Sequence, residues 1–186
     1  MTEILTRYYD KDVTNLIHEV ASSGQIEINF SYNMLTRSAN NVQIYKDVVR
    51  NTVKRHHKVA NFMPKPIFND KNLRSISGND NASGMHTSVS FWNSQGNNKG
   101  RRSNLFYDEN DDYAELSQTA RYFIGGILDH SSLLANRSTV IRVPVDEKNN
   151  YKTKRIEYGA PDPSANPYLA FSSIVAAGLD GINKKN

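Results

Sequence analysis

The chain has no cysteine in its 186 residues. That excludes disulfides, thiolate metal sites and cysteine nucleophiles, so any metal must be held by carboxylate, imidazole or carbonyl groups. It also lacks a run of about 18 apolar residues and a basic-then-apolar N-terminus. Neither a membrane span nor a secretory signal is therefore predicted, and a cytoplasmic location is expected. No internal repeat appears. The formal charge is +4 and the pI about 9.2. The basic groups are Lys54-Arg55-His56-His57-Lys58, Gly100-Arg101-Arg102 and Lys184-Lys185. They are short, scattered and free of interleaved aromatics, so they read as solvated helix ends and loops and not as a nucleic-acid footprint. What is present suits one domain: 38% hydrophobic residues can build a real core. A mean hydropathy of −0.64 implies generous polar loops.

The most informative stretch is Lys154 to Phe171. Arg155 and Glu157 alternate with Ile156 and Tyr158, the period-two signature of a strand buried on one face. Gly159, Pro161 and Pro163 end that strand, because proline cannot donate to a ladder and biases its predecessor away from helix. Asn166 is a good N-cap and Pro167 suits the first helical position, which predicts a helix from Pro167 to about Gly178. Its residues are apolar or small nearly all round, so it is expected to lie inside the domain.

Elsewhere, Met1 to about Asn15 reads as a weak helix or an ill-defined lead-in. Gln25 to Tyr32 alternates as a half-buried antiparallel strand, with Glu27 and Asn29 on its polar side. A turn at Ser22-Ser23-Gly24 would bring Glu19 towards Glu27. Asn40 or Asn41 is expected to cap a helix to about His56, whose apolar residues fall three and four apart. Asn61 to Pro66 leads into a polar loop, Asn69 to Ser83. Gly84 to Trp92 reads as a strand with Met85, Thr87, Val89 and Phe91 on one side and His86, Ser88, Ser90 and Trp92 on the other. Asn93 to Asn104 reads as a hairpin tip. Either Asp112 with Glu115 or Ser117 caps the next helix, to about Leu134, and Gly125-Gly126 within it implies close packing against another element. Thr139 to Val145, carrying Arg142, reads as a fourth strand.

Each of these strands puts unusual polar residues on one side: Glu27 and Asn29; His86, Ser88 and Ser90; Arg142; Arg155 and Glu157. In one sheet with helices on its other face they would share a surface suited to a hard cation and to phosphate or carboxylate. The rival reading is the ordinary wet face of an antiparallel sheet.

The chain resembles the catalytic domain of the bacterial and archaeal glutamine synthetase family. The matching stretches are His18-Glu19-Val20 with Gly24-Gln25 and Glu27, Asn40 to Tyr45, Phe62 to Pro66, Asp80 to His86, Leu116 to Gly126, Asn136 to Pro144 and Lys154 to Ile182. The resemblance implies an α+β fold: a curved antiparallel sheet with helices packed on one face, as in the glutamine synthetase/guanido kinase catalytic domain. It divides the chain into a lead-in, 1–15, and a partial catalytic domain, 16–186. It implies a glutamate–ammonia ligase in which ATP phosphorylates the γ-carboxylate of glutamate and ammonia displaces the phosphate. Mg²⁺ or Mn²⁺ would be held by Glu19, Glu27, His86 and Glu157. Arg142 and Arg155 would contact phosphate and the transition state, Lys152, Ser90 and Tyr32 would lie near ATP, and Arg137 and Asn81 would serve the glutamate and phosphoryl side.

Departures from the family pattern imply impaired turnover. The family's N-terminal β-grasp domain has no counterpart here, and a segment is missing between Leu134 and Asn136. Gly159 stands where the family has a glutamate-binding arginine, Ser88 where it has a nucleotide-side histidine, and Ala82 where it has a glycine. The expected partners are glutamate, ammonia and ATP, with homo-oligomers or association with full-length synthetase subunits. The alternative is a non-catalytic paralogue that binds or modulates a full-length synthetase.

Overall fold

A computed structural model describes residues 13–19, 24–66, 82–94, 102–131, 140–144 and 148–185. The implied substrate residues Asn81 and Arg137 lie outside them, as does most of the loop expected from Asn69 to Ser83. The chain forms two compact units, Met1–Gly84 with Asp162–Leu169, and Met85–Pro161 with Ala170–Asn186. The architecture is α+β with antiparallel pairing throughout the described strands.

In the first unit, β1 (Val13–His18) and β2 (Ile26–Phe30) form a two-stranded sheet. A strand thus stands where the end of the weak lead-in was expected, because Val13 and Asn15 gain ladder partners in Phe30 and Asn29. The helix α1 spans Leu35–Arg55 and starts well before Asn40. Met34 stands at the N-cap with no side-chain cap hydrogen bond; just before it, Asn33 Oδ1 accepts from the Met34 amide at 2.9 Å, and the Asn33 carbonyl accepts from the Ser38 hydroxyl at 3.3 Å. Asn40 and Asn41 are interior helical residues, and the buried Asn41 Oδ1 has no hydrogen-bond partner among the described residues. Phe30 packs edge-on against Tyr45 of α1, with ring centroids 5.6 Å apart, and Tyr45 meets Phe62 at 6.0 Å. The segment 162–169 is tied to the same helix. Lys46 Nζ donates to the Ala165 carbonyl at 2.9 Å, and the Tyr168 hydroxyl donates to Asn40 Oδ1 at 2.6 Å. Burial lowers the Lys46 pKa; Arg50 adds to that, and Asp162 opposes it.

In the second unit, β3 (Thr87–Val89), β4 (Ile141–Arg142) and β5 (Ile156–Tyr158) make a sheet in the order β3-β5-β4. Trp92 bridges Asn104, and the Asn93 amide donates to the Ser103 carbonyl at 2.9 Å, so the expected hairpin forms at its base. The helix α2 (Gln118–His130) is capped by Ser117, whose hydroxyl accepts from the Ala120 amide at 3.2 Å. The alternative cap at Asp112 is not used. One face of the sheet, with Val89, Ile141, Ile156 and Tyr158, packs on Phe106, Leu116, Ala120, Phe123, Ile127 and Ile174. Burying such side chains stabilises by about 1.5–3 kcal/mol each.

The helix α3 runs Pro167–Lys184 and begins in the first unit. Asn166 caps it as expected, its Oδ1 accepting from the Tyr168 amide at 3.0 Å. The helix is longer than its sequence suggested and is not wholly interior. Pro167, Phe171, Ile174, Gly178 and Gly181 form one buried stripe, while Leu169 is 68% exposed. Gly178 and Gly181 do not stop the helix, because they are where α2 approaches it.

Three carboxyls are held below their usual range. Asp111 accepts from the backbone amides of Leu116 and Ala114 and from Arg121; Asp162 accepts from the Ser164 hydroxyl; Asp180 accepts from Lys184 and His130. A folded pKa below the unfolded one means stability that is present above the unfolded value, about 3.9, and lost as pH falls through the folded value. Melting temperature is therefore expected to decline below about pH 4. Asp111→Asn should make the decline shallower in melts between pH 7 and 3, and an equally steep acid arm in the variant would refute the assignment.

Candidate active site

The strand β5 alternates as its sequence indicates. Ile156 and Tyr158 face the core, and Glu157 faces the other way, between Ser88 of β3 and Arg142 of β4. Glu157 is only 9% exposed, and both of its oxygens are engaged. Oε1 lies 3.2 Å from His86 Nδ1, and Oε2 accepts from Arg142 Nη2 at 2.7 Å. The carboxylate is thus held by strand pairing while its two partners, both more than half exposed, stay open to solvent. Two atoms bound to adjacent positions of a small octahedral cation at about 2.1 Å lie roughly 3 Å apart. The His86–Glu157 spacing fits such a pair of ligands. Among the described residues no group of three or more His, Asp or Glu side chains is gathered. The rest of a coordination shell would come from water or a ligand's oxygens, as is usual for Mg²⁺.

The other sequence-predicted residues divide by unit. In the second unit, Arg155 Nη1 donates to the Thr153 carbonyl at 2.9 Å, Ser90 Oγ accepts from Trp92 Nε1 at 2.9 Å, and Lys152 is exposed. In the first unit, the Glu19 amide donates to the Gln25 carbonyl at 3.0 Å, continuing the β1–β2 register in which Ile17 faces Glu27. That register puts Glu19 and Glu27 on one face, at the diagonal separation of about 7–8 Å. Gln25 Nε2 donates to Ser83 Oγ at 2.8 Å, and Tyr32 is 86% exposed. One expectation is corrected here. Among the described residues the four strands fall in two sheets: Glu27 and Asn29 belong to the two-stranded sheet, and Ser88, Arg142 and Glu157 to the three-stranded one. Alternation reports which residues share a strand face but carries no information on which strands pair.

The sequence reading missed a buried polar cluster behind the turn that precedes β5. Lys154 is 4% exposed; its Nζ donates to the Ala114 carbonyl at 2.8 Å and lies 3.7 Å from Glu115 Oε2. Glu115 Oε1 accepts from the Asn149 amide at 2.9 Å. Asn104 Nδ2 donates to the carbonyls of Tyr151 and Lys154 at 2.9 and 2.6 Å. The available signal was parity, since Lys154 alternates with Ile156 and Tyr158 and not with the polar face. An open depression of about 420 Å³ lined by Arg102, Ser103, Asn104, Leu105, Tyr107 and Tyr151 lies beside this turn. None of the implied catalytic or binding residues lines it.

An antiparallel sheet with an apolar face on helices and a polar face presenting a carboxylate, an imidazole and a guanidinium defines a class suited to cations and anionic oxygens. The chain belongs to the glutamine synthetase family, whose catalytic-domain model matches residues 2–135 and 133–186. It is 41% identical to the glutamine synthetase of Sulfolobus acidocaldarius over 209 residues, covering 97% of this chain and 41% of that protein. It is 44% identical to the glutamine synthetase of Streptomyces filamentosus over 196 residues, covering 90% of this chain and 38% of that protein. The cryo-EM structure of Plasmodium falciparum glutamine synthetase superposes with a TM-score of 0.79 at 28% identity, over 95% of this chain and 36% of that one. The chain thus spans about two fifths of the length of its relatives. No helix among the described residues is long and apolar enough to cross a membrane.

Proposed function

We propose that this chain carries the phosphoryl-transfer part of a glutamine synthetase site, acts in the cytoplasm, and binds ATP with a divalent cation. The observation that carries the reading is the Glu157 carboxylate, pinned by strand pairing between His86 and Arg142. In the reaction, a γ-carboxylate oxygen of glutamate bonds to the γ-phosphorus of ATP as the bond to ADP breaks. The ammonia nitrogen then bonds to the acyl carbon and inorganic phosphate leaves. His86 and Glu157 would hold one Mg²⁺ or Mn²⁺ ion and Glu19 and Glu27 another, supplying positive charge to the phosphoryl oxygens. Arg142 and Arg155 offer guanidinium forks to the same oxygens, while Lys152, Ser90 and Tyr32 serve the nucleotide. Asn81 and Arg137 are assigned to the glutamate and phosphoryl side by their place in the sequence.

We propose further that turnover is impaired. Ser88 pairs directly with Glu157 where the family has a histidine, and Gly159 has no side chain where the family has an arginine. Each lost contact of this kind costs about 2.7–4 kcal/mol of transition-state stabilisation. A coupled phosphate-release assay with glutamate, ammonia and ATP, run beside nucleotide titration with and without Mg²⁺, tests both claims. Metal-dependent nucleotide binding with weak or absent phosphate release is expected. Rapid release would overturn the impairment, and no metal-dependent binding would overturn the site. If the chain instead co-elutes with a full-length synthetase and alters its activity, the modulating reading replaces the catalytic one.

A further inference from the structure

The turn before β5 is tied down at both ends by side chains from outside it. Glu115 spans it: one carboxylate oxygen takes the Asn149 amide at the start of the turn, and the other faces Lys154 at its end. Asn104, itself buried, grips the carbonyls of Tyr151 and Lys154 from beneath. Within the turn, the Asn150 side chain accepts from the Lys152 amide at 3.3 Å, and the Asn150 carbonyl accepts from the Thr153 hydroxyl at 3.1 Å. Glu115 and Asn149 both sit at positive φ, +51° and +64°. Asparagine adopts such backbone readily, whereas for Glu115 it is costly and persists where the surroundings impose it. Lys154, with Nζ on Ala114 and Glu115, is committed inward, so Lys152 is left exposed at the apex.

We propose that Glu115, with Asn104 and Lys154, is a positioning residue: it clamps the 148–155 turn so that the exposed Lys152 is presented to nucleotide phosphates without rearrangement of the turn. This rests on the nucleotide reading above and adds to it a set of residues that never touch the ligand. The physical gain is preorganisation, since a turn already closed loses less conformational freedom when an anion binds. The ion pair has a second consequence. Removing Glu115 leaves the buried Lys154 ammonium without its carboxylate, so the clamp fails as a unit.

The test is a double-mutant cycle on the full chain, titrating a non-hydrolysable ATP analogue in the presence of Mg²⁺. Glu115→Ala should weaken binding about tenfold in the parent and produce no further loss in a Lys152→Ala background, because the clamp acts through the group already removed. Hydrogen exchange at amides 149–155 should rise in Glu115→Ala without nucleotide present. If Glu115→Ala fails to fold, Glu115→Gln, which keeps an acceptor for Asn149 but withdraws the charge beside Lys154, should show the same pattern with a smaller loss. Equal losses in both backgrounds, unchanged exchange in the turn, or parental affinity in the Glu115 variant would overturn the clamp while leaving the nucleotide site intact. No analogue binding by the parent, or no effect of Lys152→Ala, would overturn the nucleotide reading and the clamp's purpose with it.

Discussion

Gly126→Ala is expected to destabilise the second unit by at least about 3 kcal/mol, because the added methyl has nowhere to go. A Cβ at Gly126 would meet the Ala177 carbonyl oxygen at 2.2 Å and the Gly181 nitrogen and Cα at 2.7 and 2.8 Å. These are backbone atoms of α3, so no rotamer change relieves the clash, and the two helices must separate. Gly181 is the reciprocal contact, where a Cβ would meet the Tyr122 carbonyl oxygen at 2.2 Å. Separation would also loosen Phe123, Ile127 and Ile174, which lie in the same core cluster. In a chain of this size the loss corresponds to a fall of roughly 10 °C in melting temperature. Helix propensity acts the other way, since alanine is favoured over glycine by about 1 kcal/mol in a helix interior. A melting temperature unchanged or raised in Gly126→Ala would show that propensity outweighs the crossing and that the helices do not approach this closely.

Glu157→Gln is expected to lower affinity for Mg²⁺ with an ATP analogue by about 100-fold or more, since it withdraws the charge that both His86 and Arg142 address. The amide keeps the shape of the side chain and its place between Ser88 and Arg142, so the sheet itself should survive. Two effects then add. A cation loses an anionic ligand, and the Arg142 guanidinium loses the carboxylate that orients it. Mn²⁺ titration without nucleotide separates them, because only the first affects the metal alone. Affinity within about threefold of the parent in both titrations would show that Glu157 is a structural strand residue and that the cation is held elsewhere.

How much of this was legible in the sequence varied with the kind of interaction. Local rules placed the Asn166 cap, offered Ser117 as one of two caps for α2, and set out the alternation of Ile156-Glu157-Tyr158 and of His86 to Phe91 and a tight approach at Gly125-Gly126. Each depends on residues within one turn or one strand of each other. The start of α1 falls before Asn40 and Asn41 because the helix begins after Met34 without a side-chain cap, so capping propensity carries no signal for it. The Glu115–Lys154 cluster went unseen because a lysine and a glutamate thirty-nine positions apart, 115 and 154, carry no mutual signal until the chain folds. Their burial contradicts the usual exposure of such residues.

The order of residues alone determined that strands and helices would be amphipathic in these places, that no thiol chemistry is available, and that the motifs are those of a glutamine synthetase catalytic domain. The first two follow from short-range periodicity and composition, which any extended chain already possesses, and the third from the resemblance of its motifs to that family. Tertiary structure alone decided that β5 pairs with both β3 and β4, so that Glu157 meets His86 and Arg142, and that Glu27 lies in a separate sheet. It also decided which of three consecutive cations, Lys152, Lys154 and Arg155, is turned inward. Strand pairing and burial are long-range choices, settled by the free energy of whole faces coming together, and neighbouring residues in the chain cannot express them.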